Sequence, residues 1–99
     1  MTGNLYHVAR GSRRIQLADK MSAIHLVSTL AVLGCTDPIT SGNISGCKDF
    51  GTVYEVTFLD KAIKVAGQND AETVASWMLS FGCKKVSIEK VEEDADNSL

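Results

Sequence analysis

No hydrophobic run in this 99-residue chain is long. The longest apolar segment, Met21 to Leu33, is interrupted by Ser22, His25, Ser28 and Thr29, and a bilayer-spanning helix needs about 20 predominantly apolar residues. That excludes a transmembrane reading. A signal peptide is excluded too, because Arg10, Arg13, Arg14 and Asp19 fall where its apolar region would sit. The protein is therefore expected in the cytoplasm. Cysteine is scarce: Cys35, Cys47 and Cys83 form an odd set without CxxC spacing, which suggests neither a disulfide framework nor a zinc site. Cys35 and Cys83 each follow a glycine placed to end a helix, and read as small apolar residues. Histidine is limited to His7 and His25, which provide no metal-ligand spacing and no base positioned for a cysteine nucleophile. The chain has no GxGxxG, P-loop, GxSxG or HExxH motif. Its glycine-rich stretch GNISGCKDFG lacks the lysine-plus-hydroxyl ending of a phosphate loop and reads as a connector. No catalytic residue, cofactor or metal is expected.

What is present is an ordinary globular composition, 44% hydrophobic and 22% charged, long enough for one domain that buries roughly two-thirds of its surface. The charge is divided. Residues 1–48 carry five basic and two acidic residues, a net +3, and residues 49–99 carry five lysines and ten acidic residues, a net −5; the sum is the −2 of the whole chain. Such a division is evidence about partners rather than about fold.

The chain also carries an internal repeat. With Tyr6 laid on Tyr54, the stretch Tyr6 to Thr40 matches Tyr54 to Ile88 without a gap. Eight of the aligned pairs are identical: Tyr6/Tyr54, Val8/Val56, Ile15/Ile63, Ala18/Ala66, Ala23/Ala71, Ser28/Ser76, Gly34/Gly82 and Cys35/Cys83. Average composition would give about two. The expected architecture is α+β, one domain over residues 1–99. It consists of two tandem ββαβ pseudo-repeats, about 5–44 and 52–91, forming a mostly antiparallel sheet with two helices packed on one face. Residues 92–99, EEDADNSL, are expected to form a solvated acidic tail.

Within the first unit, Leu5 to Arg10 alternates, and Gly11-Ser12 makes a two-residue type II′ loop. That loop pairs Val8 with Ile15, Tyr6 with Leu17 and His7 with Gln16, joining apolar to apolar and polar to polar. The first helix starts between Asp19 and Ser22, both acceptable caps, and stops at Gly34, with Ala23, Leu26, Val27 and Leu30 facing the sheet. Ile24 and Val32 lie off that stripe, and no residue from Met21 to Leu33 is charged. A helix apolar beyond its own stripe covers something else, the other half of the protein or a partner chain. The repeat predicts a strand near Pro38 to Ile44, although only Ile39 and Ile44 are apolar there.

In the second unit the same register pairs Val56 with Ile63, Tyr54 with Val65 and Glu55 with Lys64. Asn69 with Glu72 three residues on predicts a capping box, and Ala71, Val74, Ala75 and Met78 the buried stripe. Trp77 and Phe81 sit at its edge, Gly82 ends the helix, and Lys85 to Val91 is the last strand. The expected core is Tyr6, Val8, Ile15, Leu17, Leu26, Leu30, Tyr54, Val56, Ile63, Val65, Val74, Met78, Val86 and Ile88.

Nucleic-acid binding needs a concentrated basic surface. Arg10, Arg13 and Arg14 cluster at one hairpin tip, but the net charge argues against strong affinity, so direct nucleic-acid binding is not expected. The acidic half, by contrast, can present carboxylates where a basic partner expects phosphates. The run YEVTF…AIKVAG…DAETVASWML…KKVSIEKVEED, from Tyr54 to Asp94, resembles small accessory proteins of phages and mobile elements, nearest in character to the anti-CRISPR proteins. What that resemblance implies is a mode of action, without functional residues: a cytosolic inhibitor, in the host cytosol if phage-encoded, that binds a CRISPR effector complex and blocks target DNA or the nuclease. The basic first hairpin departs from a wholly acidic DNA mimic and implies a two-sided contact. The expected contact residues are Arg10, Arg13 and Arg14, then Glu55, Asp60 and Glu89, then the edge at Trp77. The alternatives are a small regulatory or ligand-binding module that forms a homodimer, and a weak nucleic-acid binder.

Overall fold

A computed structural model of the chain describes residues 2–49 and 52–91. The predicted acidic tail, residues 92–99, and the side chain of Cys47 lie outside the described residues. Eight elements follow in order: β1 (Thr2–Arg10), β2 (Arg13–Leu17), α1 (Lys20–Val32), β3 (Ile39–Asp49), β4 (Val53–Phe58), β5 (Lys61–Ala66), α2 (Gln68–Ser80) and β6 (Val86–Lys90). The strands form one six-stranded sheet in the order β3-β1-β2-β5-β4-β6, with every neighbouring pair antiparallel.

The alternation read from the sequence sets the register. Val8 faces Ile15, Tyr6 faces Leu17 and His7 faces Gln16 in the first hairpin; Val56 faces Ile63, Tyr54 faces Val65 and Glu55 faces Lys64 in the second. Partners across a ladder share a face, so Val8, Ile15, Leu17, Val65, Ile63 and Val56 line one side of the sheet. Leu26 and Leu30 of α1 and Val74 and Met78 of α2 join them in a single buried cluster. Each fully buried Leu, Ile, Val or Met there contributes about 1.5–3 kcal/mol of transfer free energy. The opposite side carries His7, Arg14, Gln16, Glu55, Lys64 and Glu89, exposed or half-buried.

The halves meet at a thin seam. β2 and β5 share one register pair, Leu17 with Val65, and one further backbone bond, Ala18 N–H to the Lys64 carbonyl at 2.9 Å. The helices supply what the ladder lacks. Ser22 of α1 accepts the Lys64 N–H at its hydroxyl oxygen (2.8 Å), and Asp70 of α2 accepts the Gln16 N–H at its carboxylate (2.9 Å). Both strands thus keep a partner for a backbone donor that would otherwise be missing one.

Several expectations need correction. The strand expected near Pro38 to Ile44 runs much further, Ile39 to Asp49, because β1 begins at Thr2, in what reads as a lead-in, and pairs along nearly its whole length with it. α2 begins at Gln68, not after Asn69. Gly67 is its N-cap, at a φ of 111° that turns the end of β5 straight into the helix, and no side chain caps it. Asp19 caps α1 as expected, accepting the Ser22 N–H at 2.7 Å. Ile88 is 37% exposed, and Tyr6, Tyr54 and Val86 are only half-buried. β6 is an edge strand with a neighbour on one side only, so the residue facing inward there is not covered. Phe58, absent from the expected core, is fully buried, as is Val53. On α1, Ser22 and Thr29 are buried while Val27 is half-buried, since Ser22 turns toward β5.

Candidate interaction surface

The three arginines of the first hairpin do not form one basic patch. Arg10 points over α2: its guanidinium lies 5.3 Å from the centre of the Trp77 ring and 4.9 Å from that of Phe81, and its Nε donates to Asp37 at 2.8 Å. Arg13 donates to Asp70 at 3.1 Å and to the Thr73 hydroxyl at 2.9 Å. Both cations are therefore committed to fixing the hairpin tip against the second half. Arg14 alone of the three has no ion pair among the described residues, and it lies on the helix-free side of the sheet, opposite Ala9.

The acidic candidates are distributed differently. Glu55 is half-buried on the helix-free side, flanked across the ladders by Lys64 and by Glu89. Lys64 opposite Glu55 stabilises by about 0.2–1 kcal/mol, and the like charge of Glu89 opposes it by a similar amount. Asp60 is exposed in the β4–β5 turn. Trp77 is half-buried beneath Arg10, not free at an edge. The structure thus brings Arg10 and Trp77 together and sets Glu55 beside Glu89, while Asp60 stands apart.

The surface missing from the expected contacts is the outer side of α1. Met21 is 57% exposed, Ile24 43% and Val32 82%. These residues, with Ser28 between them, follow helical spacing along about 16 Å of α1 at about 1.5 Å per residue. Among the described residues, neither half of the protein covers them. Leu59 extends the stripe at the C-terminal end of the helix. It is 59% exposed and lies with Ser28, Thr29, Val32 and Lys61 around a small recess of about 190 Å³. Leu59 also has φ +54°, alone among the described non-glycine residues in the left-handed region, where a β-carbon costs about 1–2 kcal/mol. The signal in the sequence was the uncharged run from Met21 to Leu33; which of the two possible covers applied could not be read from it.

Two buried polar atoms complete the description. Thr29 Oγ1 and His7 Nδ1 are shielded from solvent without a hydrogen-bond partner among the described residues. Cys83 is buried and Cys35 half-buried, both unpaired thiols. Among the described residues no group of three or more His, Cys, Asp or Glu side chains is placed to hold a metal ion, and no helix is long and apolar enough to cross a membrane. Comparison with known proteins finds no matching family model, no matching curated protein and no matching solved structure.

Proposed function

We propose that this protein is a non-enzymatic inhibitor that docks on another protein through the outer side of α1 and Leu59, and that its partner is a CRISPR effector complex. The observation that carries the docking reading is the exposed apolar stripe of Met21, Ile24 and Val32 on a helix without a charge after Lys20. The partner class comes from the resemblance of Tyr54 to Asp94 to anti-CRISPR proteins.

The proposal includes an origin by duplication, as tandem ββαβ pseudo-repeats, and several contacts support it. Leu17 and Val65, paired at the seam, are equivalent positions of the two repeats, so each faces its own counterpart. The Ser22–Lys64 and Asp70–Gln16 bonds map onto one another under the same alignment. Gly34 and Gly82, both at positive φ, close their helices with matching bonds, Cys35 N–H to Leu30 and Cys83 N–H to Met78 at 3.0 Å. Gly11 and Leu59, also counterparts, share the left-handed conformation in their turns.

That equivalence makes the apolar stripe informative. Where α1 has Met21, Ile24 and Val32, α2 has Asn69, Glu72 and Ser80, all exposed. The same frame therefore folds with polar residues at these positions, and the apolar set in α1 answers a demand other than folding.

The test exchanges them: Met21→Asn, Ile24→Glu and Val32→Ser together, assayed as inhibition of target-DNA binding and cleavage by reconstituted effector complexes. The wild-type chain is expected to inhibit at nanomolar concentration, and the triple variant to weaken inhibition by about tenfold or more, as loss of a central apolar anchor does, with the fold retained. A triple variant that inhibits as well as wild type removes α1 from the contact. Failure of the wild-type chain against every effector class rejects the partner. A concentration-dependent dimer that the exchange abolishes reassigns the surface to a second copy of the chain.

A further inference from the structure

A second feature of the first half is a cleft of about 390 Å³ between the first turn of α1 and the edge strand β3. It lies where α1, which packs chiefly on β5 and β1, reaches the outer strand β3 over a short stretch only. Tyr6 of β1 faces Asn43, and Val8 faces Ser41, so the Asn43 and Ser41 side chains share Tyr6's side of the sheet. Ala23 and Ile24 form the apolar wall, and Lys20 stands at the mouth. The volume is near the lower end for small-molecule sites, which run about 300–1,000 Å³, and at about 30 Å³ per water-sized unit it holds roughly a dozen non-hydrogen atoms.

We infer that this cleft binds a small organic monocarboxylate with an apolar body. The chemistry of the lining divides in that way. One side is the Tyr6 ring, the Ala23 methyl and the branched Ile24 chain; the other is an ammonium group, a hydroxyl, a carboxamide and a phenol, which together favour an anion at one end. The charge is limited to one. Lys20 is the single cation among the described residues of the lining, and Asp19, next to it in the chain, holds its carboxylate as the α1 cap, accepting the Ser22 N–H. A dianion such as a phosphate ester would meet one cation and leave its second charge without a partner, so it is disfavoured relative to a carboxylate. The counterpart positions in the second half differ where it matters: Gln68 replaces Lys20 and Glu72 replaces Ile24, and the two side chains hydrogen-bond to each other at 3.2 Å. The site belongs to the first half alone. It shares Ile24 with the stripe of Met21, Ile24, Val32 and Leu59 proposed for docking, but no other residue of its lining belongs to that stripe, and its ligand is titrated without the partner.

The experiment is a titration followed by amide proton–nitrogen correlation spectra of the full chain, with 3-phenylpropionate, its neutral amide and phenyl phosphate as probes. Phenylpropionate should give saturable shifts at Tyr6, Lys20, Ile24, Ser41, Gly42 and Asn43, with a Kd of about 1 mM, the range expected for a ligand of this size. The amide and phenyl phosphate should each bind at least about fivefold more weakly, and Lys20→Gln should reduce phenylpropionate binding to the level of the amide, a factor of five being about 1 kcal/mol. Lys20 is exposed, so this variant keeps the fold, which its unchanged remaining spectrum verifies. Shifts that fail to saturate by about 20 mM, that are equal for acid and amide, or that centre on Val32 and Leu59 overturn the assignment. Tighter binding of phenyl phosphate than of the carboxylate overturns the choice of anion.

Discussion

Replacing Asp70 with alanine should destabilise this protein by about 2 kcal/mol, out of proportion to the exposure of the bonds it makes. The β2–β5 seam has one register pair, and the Asp70 carboxylate accepts the Gln16 N–H beside it at 2.9 Å and receives Arg13 at 3.1 Å. A hydrogen bond to a charged group contributes about 1.5–3 kcal/mol; water reaching the exposed Gln16 keeps this one near the lower figure. The Arg13 pair, with its arginine half-exposed, adds no more than about 1 kcal/mol. For a domain of this size, a loss of about 2 kcal/mol corresponds to a fall of about 8–16 °C in melting temperature, readable by circular dichroism at a single wavelength. Asp70→Asn keeps an acceptor oxygen near the Gln16 N–H and removes the charge, so it should lose about half as much. A drop of less than about 3 °C for Asp70→Ala would refute the reasoning, since it would mean that the seam holds without its side-chain bridge.

Other perturbations follow from the same geometry. Ser22→Ala removes the acceptor for the Lys64 N–H and should cost about 1–2 kcal/mol by urea denaturation, nearly additive with Asp70→Ala if the two bridges act independently. Gly42→Ala would bring a β-carbon to 3.1 Å from His7 Cε1; a cost of about 1 kcal/mol is expected, and it should vanish in a His7→Ala background. Arg10→Ala removes stacking on two rings and the Asp37 pair, about 1–2 kcal/mol together, and should shift the emission of Trp77, the single tryptophan. Leu59→Gly relieves the left-handed strain while losing a partly buried side chain and loosening the unfolded chain; these terms nearly cancel, so stability should stay within about 1 kcal/mol of wild type, while inhibition of the partner weakens.

The hairpins were legible because their information is local. A two-residue turn sets the register, and one slip would put every apolar residue on the wrong side, so Val8/Ile15 and Val56/Ile63 could be paired from the letters alone. β3 was not legible in the same way. Apart from Ile39 and Ile44, the predicted strand segment has no apolar alternation, and its extent is set by β1, a partner on the far side of β2 and α1 in the chain. The separation of the three arginines was not legible for a related reason. Arg10, Arg13 and Arg14 look like one cluster because sequence distance is short, but successive strand residues point to opposite sides. Arg10 then meets Trp77 and Phe81, Arg13 meets Asp70, and Arg14 is left on the far side. Conversely, the uncharged run of α1 was visible at once, while whether the rest of the fold covered it depended on where every other element lay.

The proposed duplication also explains why the hairpin tips differ. In the alignment that lays Tyr6 on Tyr54, Arg10 corresponds to Phe58, Trp77 to Thr29 and Phe81 to Leu33. At one end of the seam Phe58 is driven fully into the core, where Thr29 is buried and Leu33 packs against it. At the other end the larger rings of Trp77 and Phe81 fill that volume themselves, and the position opposite becomes a cation lying on their faces, fixed by Asp37. Aromatic bulk sits on the strand at one end and on the helix at the other, so facing positions have to change together for either tip to stay packed. It follows that Arg10→Phe alone would place three rings at one tip without removing any. It should destabilise the fold through overpacking, unless Trp77→Thr and Phe81→Leu accompany it, in which case the first tip takes on the packing of the second and stability returns. Failure of the triple exchange to recover more than the single change would separate the two ends physically, and with them the claim that they are copies.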